Sequence, residues 1–269
     1  MKGRVLVIAG SDSGGGAGIQ ADIKAITAMG AFAATAITAL TAQNTLGVHG
    51  VFPVPPAFLR QQIDVVLDDI GADAIKTGML GDTSTIETVC DALSARPVRL
   101  PFVLDPVMVA KGGHHLLTVE AVATLRQRLL PMASVLTPNL PEAEALAGMP
   151  ITKPADMRPA AEALLALGVP AVLLKGGHLP GDRVMDLLAT PDGTEAFEAP
   201  RINTRHTHGT GCTLASALAA GLAQGMTLRD AASRARAYVR AAIAGAPGYG
   251  RGHGPLNHAV TLDPERLQL

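Results

Sequence analysis

The stretch Arg4-Val5-Leu6-Val7-Ile8-Ala9, followed by Gly10-Ser11-Asp12-Ser13-Gly14-Gly15-Gly16-Ala17-Gly18, decides the architecture. A short apolar run without polar alternation reads as a strand buried on both faces. The glycine-rich turn then leads into a helix expected over 16–30, and the apolar run 32–40 reads as a second strand. Strand, turn, helix and strand make a βαβ unit, whose right-handed crossover builds a parallel sheet. The alternation recurs along the chain. Apolar runs at 73–77, 101–105, 133–137 and 170–175 alternate with helical periodicity near 56–70, 83–95, 119–130, 141–147 and 155–167. Two further helices are expected near 211–225 and 228–245. Pro56, Asp82, Pro141 and Thr227 are helix start signals, and Gly30, Gly168 and Gly225 suit helix ends. Between 183 and 199, two short runs flank Pro191-Asp192-Gly193 and read as a hairpin. The predicted fold class is α/β: a three-layer α/β/α sandwich, mostly parallel, with an antiparallel edge hairpin, and residues 1–269 as one domain.

Composition narrows the function classes. The chain is 48% hydrophobic and 17% charged, which favours a packed core over disorder. A net charge of −1, no basic block, two Tyr, five Phe and no Trp argue against nucleic-acid binding. The first apolar run is too short to span a bilayer and has no cleavage pattern after it, so no membrane partner and a cytoplasmic location are expected. Cys90 and Cys212 are too few and too far apart for a disulfide framework or a zinc site.

Two glycine-rich turns precede helices, where free N–H groups and the helix dipole favour polar or anionic ligands. The first, residues 10–18, lacks the Lys of a phosphate-cradling P-loop and the downstream acidic residue of a dinucleotide fingerprint. A plain tight turn is the alternative. The second is Thr207-His208-Gly209-Thr210-Gly211-Cys212, just before the apolar run Thr213–Leu218. Its glycines let the backbone approach a ligand, and a helix start aims unpaired N–H groups at one point, as an anion hole for a moving phosphoryl group requires. An ordinary helix start is the competing reading.

The GTGC segment resembles the GAGD-type signature of ribokinase-like kinases, in the form similar to hydroxymethylpyrimidine/phosphomethylpyrimidine kinases. AGSDSGGGAGIQADIKA, TALTAQNT, KTGMLGD, LDPVMVAKGG, LTPNLPEAEAL, LLKGGH and THGTGCTLASALAAGLA occur in that family's order. The resemblance implies a ribokinase-like fold and ATP-dependent phosphorylation of 4-amino-5-hydroxymethyl-2-methylpyrimidine, then of its monophosphate, with Mg2+ and usually as a homodimer. It places Gly209, Thr210 and Gly211 at the phosphoryl group, and Cys212 where many relatives carry an Asp base. A thiol of reference pKa about 8.5 near a helix N-terminus can supply a weak base. The second transfer needs none, because its nucleophile is an ionised phosphate. An inert buried Cys is the alternative.

By the same resemblance, Gln43 holds the pyrimidine ring nitrogen and amino group, and Gly10, Ala17, Asp22, Met79 and Val107 line that pocket. A Gln after a strand is otherwise a turn residue, and Met79 and Val107 are otherwise core residues. The NxxE pattern puts Asn139 near the phosphates and Glu142 near magnesium, with Asp105 as a second acidic candidate. Glu142 is otherwise a first-turn helix charge. Lys175 and Thr207 are candidates on the nucleotide side, and Lys111 offers a second cation in a loop, 111–118, that closes over the site. His206 and His208 suggest a metal, but no remaining ligands lie at close spacing. The segment from Gly248 to His258 resembles the family's closing segment near the nucleotide and otherwise reads as a tail. The rivals are a pyridoxal or pyridoxine kinase of the same fold, a nucleotide-binding oxidoreductase and a sensor without turnover.

Overall fold

The computed structural model describes residues 1–109, 113 and 116–263. In chain order the elements are β1 (Arg4–Asp12), α1 (Gly18–Ala28), β2 (Phe32–Asn44), β3 (Gly47–Pro53), α2 (Pro56–Asp69), β4 (Ala74–Thr77) and α3 (Thr83–Ser94). Then follow β5 (Phe102–Leu104), α4 (Val119–Thr124), β6 (Val135–Leu136), α5 (Leu140–Ala147), α6 (Pro154–Leu165), β7 (Val172–Leu174), β8 (Arg183–Thr190), β9 (Gly193–Pro200), α7 (Thr210–Ala223) and α8 (Leu228–Ala244).

Strand β1 alternates its side chains between two cores. Leu6 and Ile8 pack with residues of α2 to α6, while Val5, Val7 and Ala9 pack with α1, α7 and α8. Both faces are covered, which is why the run is apolar without a break. The three layers are as expected.

The strands form one sheet in the order β3-β2-β1-β4-β5-β6-β7-β8-β9. The central six, β2 to β7, run parallel, and β8 and β9 are the expected hairpin at one edge. The first crossover places β2 on one side of β1, and a later one places β4 on the other. This reversal opens a crevice beyond the C-terminal ends of β1 and β4, where ligands of such sheets gather.

Two elements depart from the sequence reading. Strand β2 runs past residue 40 to Asn44 and turns back into β3, an antiparallel strand on the other edge. An edge strand buries too little to carry an apolar pattern, and β3 is exposed along most of its length. The helix expected over 119–130 ends at Thr124, widens into a π-turn at Leu125–Leu129 and closes with a 3-10 turn containing Pro131, which has no N–H to continue it. The segment after α8 is docked on the body. His253 N donates to Thr45 O (2.8 Å), His208 N donates to Gly254 O (3.2 Å), and Tyr238 OH donates to His258 O (2.8 Å).

Candidate active site

A cavity of about 1240 Å³ lies over the strand ends and the start of α7. Its wall runs from Gly10 and Gln43 at one end, past Cys212, to Lys175 and Arg236 at the other.

The second glycine turn stands at the middle of this wall. Gly209, the N-cap of α7, has φ +81°, and a Cβ there would lie 1.8 Å from the Gly16 carbonyl oxygen. Only glycine fits both constraints. The Thr207 carbonyl accepts from Thr210 Oγ1 (2.6 Å), which holds the turn shut. A Cβ on Gly211 would lie 3.0 Å from Lys175 Nζ, so the ammonium rests against the first turn of α7. Helix N–H groups and a cation thus converge on one spot, which an ordinary helix start does not provide.

Lys175 follows β7, and its Nζ donates to Asp105 Oδ1 (2.9 Å), which also accepts from Thr137 Oγ1 (3.1 Å). Burial opposes the Lys175 charge, but Asp105 and Glu142 outweigh it and raise its pKa. Asn139 and Glu142 form a capping box on α5: Glu142 N donates to Asn139 Oδ1 (2.9 Å), and Asn139 N donates to Glu142 Oε2 (2.8 Å). Burial pushes the Glu142 carboxyl up, with Lys175 pulling against it. The NxxE pattern is therefore a helix cap as well as part of the cavity wall. No group of three or more His, Cys, Asp or Glu that could hold a metal occurs among the described residues. The carboxylates of Asp105 and Glu142 fit a magnesium ion that keeps its waters and takes phosphate oxygens, not one caged by protein.

Near Lys175, Asp186 accepts from Gly176 N (2.9 Å) and Arg236 Nε (2.6 Å). Arg201 ties down the loop after Lys175 by donating to the carbonyls of Gly177, Leu179 and Gly181. Lys111 lies outside the described residues, as does much of the loop 111–118.

The first glycine turn is different. Its N–H groups are already taken: Gly14 N donates to Asp12 Oδ1 (2.8 Å), and Gly16 N (3.0 Å) and Ala17 N (2.8 Å) donate to Oδ2. Burial opposes ionisation of Asp12, but bonds from His208, Ala17 and Gly14 prevail and hold its carboxyl below the ordinary range. The anion in this turn is the chain's own. That removes the dinucleotide reading of the loop.

The Nε2 of His208 is engaged inside the fold. It meets Asp12 Oδ2 at 2.9 Å and the Gln43 amide at 3.3 Å. Gln43 lies in β2, paired with Val48, and not in a turn. Gly10, Ala17, Met79 and Val107 line the same end, and a Cβ on Gly10 would meet Met79 Sδ at 2.9 Å.

Asp22 requires a correction, because it does not line the cavity. It is fully buried beneath the floor, with both oxygens on Lys76 Nζ (2.8 and 2.9 Å) and Oδ1 accepting from Ser216 Oγ (2.7 Å). A buried carboxylate needs such partners, and it found them inside the fold. Lys76, which the sequence reading missed, is itself fully buried, yet it forms part of the cavity floor. A Lys within the apolar strand Ala74-Ile75-Lys76-Thr77 was the available signal.

Cys212 is half-buried, and the Gly18 N–H bonds to its sulfur. Burial pushes the thiol up to about 12, with Lys76 pulling it down. Burial outweighs the helix N-terminus, and the side chain rests as a neutral thiol.

The family model for phosphomethylpyrimidine kinase matches residues 12–257. A hydroxymethylpyrimidine/phosphomethylpyrimidine kinase of Bacillus subtilis is 50% identical, covering 95% of this chain and 94% of that protein. A thiamine biosynthesis bifunctional protein of Geobacter sulfurreducens is 51% identical over 98% of this chain, which spans only 54% of that protein's length. Among solved structures, an ADP complex of Bacillus subtilis pyridoxal kinase superposes with a TM-score of 0.89 at 36% identity, covering 100% of both chains. The architecture is ribokinase-like. No helix among the described residues is long and apolar enough to cross a membrane. With an open glycine turn beside an ammonium in one long cavity, and with these similarities along almost its full length, the chain belongs to the phosphomethylpyrimidine kinase family of phosphotransferases.

Proposed function

We propose that the protein transfers the γ-phosphoryl group of ATP to the hydroxymethyl group of 4-amino-5-hydroxymethyl-2-methylpyrimidine, and then to the resulting monophosphate, in thiamine biosynthesis. One observation carries this reading: a single cavity joins the Gln43 amide to the Gly209–Cys212 turn and Lys175.

Gln43 offers a donor and an acceptor to the ring, between the apolar walls of Met79 and Val107. This sets the hydroxymethyl group toward Cys212. The N–H groups of the α7 first turn and the Lys175 ammonium neutralise charge developing on the moving phosphoryl group, which is where most of the rate comes from in such reactions. Thr207 and Asn139 sit on the nucleotide side of the turn. A magnesium ion held through water by Glu142 and Asp105 would add further charge neutralisation between the phosphates. In the first transfer the small thiolate fraction of Cys212, formed by losing its proton to solvent, takes the alcohol proton, and the second transfer proceeds without it.

The protein works as a homodimer in the cytoplasm. The paired edge strands β2 and β3 leave Leu40 and Phe52 side by side, with Phe52 67% exposed. Packing that face against a second copy would take these side chains out of water. A monomer by sedimentation at micromolar concentration would remove this assembly.

The assay that tests the function offers ATP and magnesium with the pyrimidine alcohol, its monophosphate and pyridoxal in turn. Turnover of the two pyrimidines well above pyridoxal is expected. A preference for pyridoxal would move the assignment to a pyridoxal kinase, the activity named for the solved structure that this chain resembles.

A further inference from the structure

The substrate end of the cavity carries more information than the identity of Gln43. Asp12, which receives three backbone N–H groups, is an acceptor only. His208 Nε2, 2.9 Å from Asp12 Oδ2, therefore bears the ring proton, since a bare nitrogen would set its lone pair against an anion. One terminal atom of the Gln43 amide stands 3.3 Å from the same Nε2, and the other stands 3.2 Å from Thr41 Oγ1.

As placed, the amide nitrogen faces His208, donor against donor. A half-turn of the amide, which leaves its shape almost unchanged, turns the carbonyl oxygen toward the single Nε2 hydrogen, which Asp12 Oδ2 (2.9 Å) and the amide oxygen (3.3 Å) then share as a three-centre bond. The amide nitrogen then donates to Thr41 Oγ1, whose own proton goes to Ser11 O (2.9 Å). No contact in the chain now sets donor against donor, and the chain runs in one direction only. His208 is 7% and Asp12 2% exposed, so water does not scramble this order.

We propose that His208 is a specificity-determining residue: held by Asp12, it sets which end of the Gln43 amide accepts and which donates. The inference rests on the pyrimidine reading above. Each contact uses one of two positions on its amide atom, so a carbonyl lone pair and an N–H remain for the ligand in a fixed order. That order suits a ring nitrogen beside an amino group. It opposes the 4-oxo counterpart, which carries a ring N–H beside a carbonyl. His208 acts through Gln43 and need not touch the substrate.

The test compares kcat/KM for the pyrimidine alcohol and its 4-oxo counterpart in the wild type, His208→Gln and His208→Leu. A Gln keeps an N–H near the position of Nε2, and a Leu does not. The wild type should prefer the amino compound by about 100-fold or more, as expected where a mismatch leaves buried polar groups unpaired. His208→Gln should retain that ratio within about threefold, and His208→Leu should lose at least about tenfold of it, the value of one net hydrogen bond. An unchanged ratio in His208→Leu, or a wild type that accepts both compounds equally, overturns the assignment. Should the Leu variant fail to fold, long-range proton–nitrogen NMR of the wild type decides: a protonated Nε2 on His208 is required, and an unprotonated one overturns the proposal. A wild type inert toward the pyrimidine alcohol but active on another alcohol strikes the proposed function instead, which keeps the two failures apart.

Discussion

The turns at 12–18 and 207–212 look alike in the sequence and behave differently in the fold. Both are glycine-rich, both precede a helix, and both aim backbone N–H groups inward. In the first, the Asp12 carboxylate fills the nest from within. In the second, Lys175 stands beside the amides, and the nearby Asp105 carboxylate is held on Lys175 Nζ (2.9 Å). A glycine turn before a helix is thus an anion site only where the chain leaves it open. The two are also packed together, since Gly16 and Gly209 touch and the Gly18 N–H bonds to Cys212. The self-filled turn is the wall against which the open one is shaped.

Gly209→Ala attacks that contact and should have the largest effect. The left-handed conformation alone costs an alanine about 1–2 kcal/mol, and its Cβ would run into the Gly16 carbonyl. Steady-state kinetics should show kcat lower by about 10³-fold, the scale of losing a preorganised oxyanion donor. The KM for the pyrimidine should rise as well. An intact pyrimidine KM would mean that the turns are less tightly coupled than their packing indicates.

Emptying the first turn should come next. Asp12→Ala leaves three backbone N–H groups and His208 without their acceptor, at about 1–3 kcal/mol for each one that stays buried. Thermal melts should show a clear fall in Tm, partly restored by millimolar formate, which can re-enter the nest. The pH dependence follows from the Asp12 shift. Its folded pKa lies below the ordinary 3.8, so its contribution is present above that value and disappears as pH falls through the lower folded pKa. The wild type should lose this increment in acid and the variant should have none to lose. The same change in stability between neutral pH and acid in both proteins would show that the carboxylate is not the anion that matters.

The smallest effect is selective. Cys212→Ala should slow the first phosphorylation by about 10²-fold, the low end for a general base, and leave the second nearly unchanged. A thiol pushed up to about 12 ionises about tenfold more with each pH unit below that value, so the first step should accelerate with pH while the second stays flat. Equal losses in both steps would make Cys212 part of the wall and not the base.

The legible part of the fold is the part whose side chains are buried with a period. The apolar runs of β1, β4, β5 and β7 and the helices α2, α3 and α5 to α8 stand close to their expected bounds because burial on a strand or helix face repeats in the sequence. Strand β3 escaped because it buries little, and the π-turn at 125–129 because a helical pattern does not show where the winding changes. At the site, Gly209, Gly211, Cys212, Gln43 and Lys175 were found through local motifs and face one cavity. Asp22, Lys76, Asp12 and His208 were misplaced or missed because their roles depend on partners far along the chain. Lys76 and Asp22 are 54 residues apart, and His208 and Asp12 are 196 apart.

From the order of its residues alone, this protein's layers, its crossovers and its open glycine turn could be read, since each follows from local conformational preference and the period of burial. Which charges neutralise one another, which glycine turn is already full and which way the Gln43 amide faces were settled only when distant segments met. Those outcomes depend on distances of about 3 Å between hydrogen-bonding atoms, and no spacing along the chain encodes them.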